Sequence, residues 1–183
     1  MDSCDNATRT RPRVAAFWVR RPRSLPSPRP IDERIANAHV DWMTRACPRC
    51  GVENRIPARH LAHRGRCGNC KRDLAPLSEP LSVSTEEFDD ITRNATVPVL
   101  VDLWASWCGP CRMVAPEVKR AAADLAGKAV VLKVDTEAHP DLARRYNVQS
   151  IPNFVVLAMG NVVRQQAGAV NSQLMRQWIE QSG

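Results

Sequence analysis

From Ser82 to the C-terminus, apolar and polar positions alternate between two periods, three to four residues and two, in a succession that reads as an α/β domain. Ser84 and Glu87 have the spacing of a capping box, which opens a helix through about Arg93 with Phe88 and Ile91 facing inward. Val97 to Trp104 is nearly continuously apolar, interrupted by Asp102, as expected of a strand buried on both faces. A helix then runs to about Ala126, kinked at Pro116. Ala129 to Val134 reads as a second buried strand, Asp141 to Tyr146 as a short helix and Asn153 to Ala158 as a third strand. The turn at Gly160 lets Asn161 to Gln166 fold back on that strand as a hairpin. Asn171 caps a last helix with Leu174, Trp178 and Ile179 on its apolar face.

The periodicity stops upstream of Ser82. Residues 45 to 73 are polar and cysteine-bearing, with too few apolar side chains to bury a core without a metal. Leu74 to Leu81, with Pro76 and Pro80, reads as a stiff linker. Residues 1–42 include the run Arg-Arg-Pro-Arg-Ser-Leu-Pro-Ser-Pro-Arg-Pro, where each proline removes a donor and disfavours helix before it. No fixed structure is expected there beyond a short helix around Ile31 to Trp42. Met43 is an alternative start, in which case residues 1–42 would not be translated. The expected divisions are therefore 1–42, 43–74, 75–81 and 82–183.

The formal charge of +7 over 183 residues is uneven: +3 over residues 1–42, +5 over 43–80 and −1 beyond. A basic front end permits nucleic-acid contact, but no aromatics interleave with the arginines of residues 45–73 to stack on bases, so solvated charge is the expected reading. No apolar stretch approaches the roughly 20 residues that span a bilayer, and no secretory apolar core is evident. Six of the seven cysteines form three Cys-x-x-Cys pairs. Such pairs bind metal or turn over in a reducing compartment, which places the chain in the cytoplasm.

The pair with the clearest chemistry is Cys108 and Cys111, in Trp-Ala-Ser-Trp-Cys-Gly-Pro-Cys at 104 to 111, after a buried strand and at a helix start. Disulfide exchange needs an attacking thiolate and a second thiol near enough to resolve the mixed disulfide. Unpaired N–H groups and the positive end of the helix dipole stabilise a thiolate at Cys108. Cys111, one turn further in, is expected to be the more buried. Half of a metal site is the competing reading, and Trp107, Gly109 and Pro110 between and beside the sulfurs favour redox chemistry.

With Asp102 six residues before Cys108 and Ile151-Pro152 downstream, residues 82 to 183 resemble the thioredoxin family. The resemblance implies a central mixed sheet with helices on both faces. It implies that Asp102 assists proton transfer at Cys111, that Lys133 pairs with that acid, and that Pro152 is the cis-proline presented to the disulfide. Gly168 then matches the glycine that lets a partner approach. Trp107, Gly109, Pro110, Ile151, Pro152 and Gly168 are the implied substrate contacts. Asn153 and Leu157-Ala158-Met159-Gly160 depart from the family's usual residues, which bears on partner choice rather than on the reaction.

Cys47, Cys50, Cys67 and Cys70 have the C-x2-C-x16-C-x2-C spacing of a four-cysteine zinc site. Two structural disulfides or idle thiols are the alternative. Gly51 and Gly68 are expected to supply the unusual φ of the two knuckles. His60 and His63 are superfluous once four thiolates bind and should face solvent. A zinc ribbon ahead of Trp-Cys-Gly-Pro-Cys, with Asn-Arg-Ile-Pro at 54 to 57, is similar to the zinc-containing branch of bacterial thioredoxins, the thioredoxin 2 branch. The expected protein is thus a monomeric protein-disulfide reductase with structural or redox-responsive Zn²⁺ and no organic cofactor of its own. Its implied partners are disulfide-containing proteins and an NADPH-dependent flavoprotein thioredoxin reductase. The rival is a zinc-ribbon binding or redox-sensor protein with little turnover.

Overall fold

In the computed structural model, residues 42–182 are described and belong to one compact unit. The expectations for residues 1–41 lie outside the described residues. Trp42, placed by the sequence at the end of a helix, instead opens a strand.

The order begins with β1 (Trp42–Ala46) and β2 (Glu53–Pro57), an antiparallel pair, then a 3-10 turn at Ala58–His60. Next come β3 (Gly65–Arg66) and β4 (Asp73–Leu74), a second antiparallel pair. The remainder is β5 (Leu81–Ser82), α1 (Thr85–Asn94), β6 (Val99–Trp104), α2 (Gly109–Asp124), β7 (Val130–Asp135), α3 (Pro140–Arg145), β8 (Asn153–Ala158), β9 (Asn161–Ala167) and α4 (Ser172–Glu180). The last five strands form one sheet in the order β5-β7-β6-β8-β9, parallel through β6 and antiparallel thereafter.

The helix ends follow local chemistry. Ser84 Oγ accepts from Glu87 N while Glu87 Oε2 accepts from Ser84 N, closing the capping box on two orphan donors. Asn171 Oδ1 accepts from Leu174 N at the start of α4. On α4 the inward residues are Met175, Trp178 and Ile179, whereas Leu174 is 36% exposed. The 3-4 spacing runs from Met175, so Leu174 falls at the edge of the stripe, contrary to expectation.

Strand parity divides the core. Val99, Val101 and Leu103 of β6 point to a cluster with Phe88, Ile91 and Leu142, while Leu100 points to a cluster with Val114 and Val118 of α2 and Met175 and Trp178 of α4. Asp102 shares the parity of Leu100, and so faces the α2 side.

The first cluster also takes in Ala58, Leu61 and Ala62, with Met43 and Ile56 packed against it. The four-cysteine segment therefore contributes to the core of the sheet, which its low apolar content did not suggest. The connection from Leu74 to Leu81 also packs against the folded unit. Leu77 packs against that cluster and its N–H donates to Leu61 O at 3.0 Å.

Candidate functional site

Strand register assembles the redox end of the sheet. Trp104 pairs with Asp135, and Leu103 with Asn153, which in turn pairs with Ala167. The segments that follow β6 and β9 and precede β8, carrying Cys108 to Cys111, Gly168 and Ile151-Pro152, therefore emerge at one end. The Ile151–Pro152 peptide is cis, and Pro152 O accepts from Gly168 N at 2.8 Å. Gly168 has φ +93°, which disfavours any side chain, and a Cβ there would meet nothing within 4 Å, so the space before it is open.

Cys108 and Cys111 form a disulfide. Cys108 is the N-cap of α2, and its Sγ accepts from Cys111 N at 3.1 Å. Pro110 occupies the first turn, where its missing N–H costs nothing. The expectation that Cys111 is the better covered does not hold for the oxidised pair: the two residues are 2% and 3% exposed. Trp107, by contrast, is 65% exposed. Met113, also exposed, lies two positions past Cys111 on the outward face of α2. The sequence reading passed over it, although that offset from a buried cysteine already points outward.

Asp102 is 2% exposed and its Oδ1 has no hydrogen-bond partner among the described residues. Burial raises its pKa from 3.8 to about 6, and the Lys133 charge only partly pulls it back. Lys133 is the register partner of Asp102 on β7, and its Nζ lies 4.1 Å from the ring centre of Trp104. Asp135 and His139 line a small cavity with Lys133 and Trp104, and His139 Nδ1 lies 3.3 Å from Thr85 Oγ1.

The other three-dimensional cluster is in the N-terminal module. The sulfurs of Cys47, Cys50, Cys67 and Cys70 all lie within 4.8 Å of one another, with Cys47 to Cys70 at 3.6 Å and Cys50 to Cys67 at 3.7 Å. A tetrahedron with metal-sulfur bonds of 2.3 Å has edges of roughly 3.8 Å, so these spacings fit such an ion. Backbone N–H donors prepare thiolates: Cys70 N–H leads in lowering Cys67 to about 6, and Val52 N–H lowers Cys50. At Cys70 the Arg72 N–H pulls down, yet burial and the three neighbouring sulfurs together push it up to about 11. Protons left on such a crowded set are what a cation would displace. Gly51 has φ +70° as expected, but the matching position of the second knuckle is Lys71 at φ 58°, not Gly68. Lys71 Nζ donates to Gly68 O at 2.7 Å. His60 and His63 are exposed.

The thioredoxin family profile matches residues 79–181. The chain belongs to the thioredoxin family. It is 40% identical to Thioredoxin C-3 of Corynebacterium nephridii over 76% of this chain and 94% of that one. That coverage exceeds the part from residue 79 onward, so it takes in part of the four-cysteine module. Thioredoxin 1 of Chlorobaculum tepidum is 44% identical over 51% of this chain and 93% of its own. A solved structure of a mutant thioredoxin from Halobacterium salinarum NRC-1 superposes with a TM-score of 0.55 at 34% identity, covering 60% of this chain and 95% of that one. The fold is thus the thioredoxin fold, the activity that of a protein-disulfide reductase, and the four-cysteine arrangement supports the zinc-containing branch. No helix among the described residues is long and apolar enough to cross a membrane.

Proposed function

We propose that Cys108 is the attacking thiol and Cys111 the resolving one in dithiol exchange with substrate proteins. The observation that carries this is the Cys108–Cys111 disulfide at the N-terminus of α2, above a buried carboxyl on the same sheet face. Reduced Cys108 attacks one sulfur of a substrate disulfide and expels the other as a thiolate. Cys111 then attacks the Cys108 sulfur, releasing the second substrate thiol and leaving the chain oxidised by two electrons. Asp102 takes the Cys111 proton, for which a pKa near 6 is better placed than an ordinary carboxyl. Lys133 limits how far that pKa rises. Trp107, Gly109, Pro110, Ile151, Pro152 and Gly168 frame the substrate's extended backbone.

An NADPH-dependent flavoprotein thioredoxin reductase returns the two electrons, and the chain works as a cytoplasmic monomer. Residues 43–74 form the ribbon, 75–81 its connection and 82–183 the catalytic domain. Cys47, Cys50, Cys67 and Cys70 hold Zn²⁺, which supplies structural cross-linking because all four positions are thiolates. The same thiolates give the ribbon a redox response if an oxidant converts them to disulfides.

The test is insulin-disulfide reduction by the full chain with NADPH and thioredoxin reductase. Multiple turnover is expected, and its absence at micromolar enzyme with intact Cys108 and Cys111 would overturn the assignment.

A further inference from the structure

We infer that the cleft between β2 and the β3–β4 hairpin is a docking site for an extended acidic peptide segment of a partner protein. The cleft encloses about 670 Å³, within the ~300–1,000 Å³ range typical of ligand sites. It is not part of the redox end of the sheet. Its floor is apolar, from Ile56, Pro57, Leu61 and Leu74, and its rim carries Arg45, Arg55, Arg64 and Arg66 against the carboxylate of Glu53, with Asp73 beside Arg66.

Three features fit one occupant. First, β2 pairs only with β1 and the β3–β4 hairpin only with itself, so the second edge of β2 has no strand partner among the described residues. Its five residues offer about 17 Å of edge, enough for a four- or five-residue strand. Second, the alternation of apolar floor and cationic rim suits a strand whose successive side chains point to opposite faces. Third, two of the rim cations can take an incoming carboxylate, whereas Arg45 already donates to Ala75 O at 2.6 Å. Arg64 has no ion pair with a described residue, and the Arg66–Asp73 pair, at 3.5 Å with side chains 79% and 77% exposed, is of the weak kind that an incoming carboxylate displaces. Asn54 fixes the cleft's shape, its Oδ1 accepting from Gly68 N at 2.9 Å and its Nδ2 donating to Val52 O at 2.8 Å.

A single-stranded nucleic acid is the less suited polyanion. The lining holds no Phe, Tyr or Trp to stack on bases, and the His60 and His63 rings are packed edge-on to each other at 5.6 Å.

The experiment uses the full zinc-loaded chain and a fluorescein-labelled decapeptide of alternating Glu and Val, read by anisotropy. Saturable binding is expected, weakening as salt rises from about 0.05 to 0.5 M. The double variant R64E/R66E should lose about tenfold or more in affinity, while its reduction of a small aromatic disulfide stays at the parental rate. A second arm leaves the protein untouched: the same peptide N-methylated at alternate residues should bind clearly more weakly, because it cannot complete a strand ladder. Binding does not depend on turnover, so this result is separable from the fate of the reductase assignment. The proposal is overturned if the acidic peptide does not saturate, or if N-methylation leaves its affinity unchanged. It is likewise overturned if oligo-dT binds as tightly as the peptide with the same sensitivity to R64E/R66E.

Discussion

Asp102→Asn should make the protein more stable at alkaline pH and have progressively less effect as the medium is acidified. In the folded chain the carboxyl titrates near 6 rather than 3.8, because burial penalises its charged form more than Lys133 relieves it. Between those two values the folded state holds a proton that the unfolded chain has released. Stability is therefore lost as pH rises through the window from 3.8 to about 6, and above it the full cost is present. The shift of roughly 2 units corresponds to about 3 kcal/mol at 1.36 kcal/mol per unit. Asparagine keeps the shape but cannot ionise, so the variant's advantage should grow by about 3 kcal/mol between pH 3 and 8. With a guanidinium m-value of about 4 kcal/mol/M, that is a midpoint difference of roughly 0.7 M. Guanidinium unfolding of the two oxidised proteins, followed by tryptophan fluorescence across this range, measures it. Thiol protonation in the four-cysteine module is common to both and cancels in the difference. A difference that stays flat from pH 4 to 8 would refute the reasoning, whatever its absolute size.

Cys108→Ser should abolish insulin reduction, whereas Cys111→Ser should accumulate mixed disulfides visible on non-reducing gels. Lys133→Met removes the one charge that lowers the Asp102 pKa, so the acid limb of the pH-rate profile should move to higher pH. Gly51→Ala places a side chain at φ +70° and should weaken metal retention by roughly 1–2 kcal/mol, read by competition with a chelating dye. Gly68→Ala should not, since its φ is not positive and a Cβ would meet only Asn54 Oδ1 at 3.8 Å.

Much of this arrangement is legible in the chain because it rests on short-range rules. The capping box at Ser84, the Asn171 cap, the buried run to Trp104 and the hairpin at Gly160 each depend on residues within a few positions. The four-cysteine cluster and the dithiol announce themselves by spacing. What escaped the sequence needed tertiary partners. Ala58, Leu61 and Ala62 look too small and too few to matter until the sheet supplies the other half of their packing. The equal cover of Cys108 and Cys111 belongs to the folded, oxidised pair, which periodicity does not describe. Leu174 and Met175 are one position apart, and only the angle at which α4 lies on Phe154 and its neighbours decides between them.

Ala58, Leu61 and Ala62, between the two cysteine pairs, lie in the same packed cluster as Phe88, Val99 and Leu132, so the four-cysteine segment and the sheet should unfold together. A cation held by the sulfurs then acts as a ligand of the whole folded unit. At 100 times its dissociation constant, a ligand that binds only the folded state stabilises it by about 2.7 kcal/mol. The coupling runs both ways: a cavity cut at Leu61, costing about 2–5 kcal/mol, lowers the apparent metal affinity once it leaves the metal-free chain largely unfolded, although no sulfur has been touched. Removal of such a cation by a chelator should, conversely, lower the melting temperature of strands that carry no cysteine ligand.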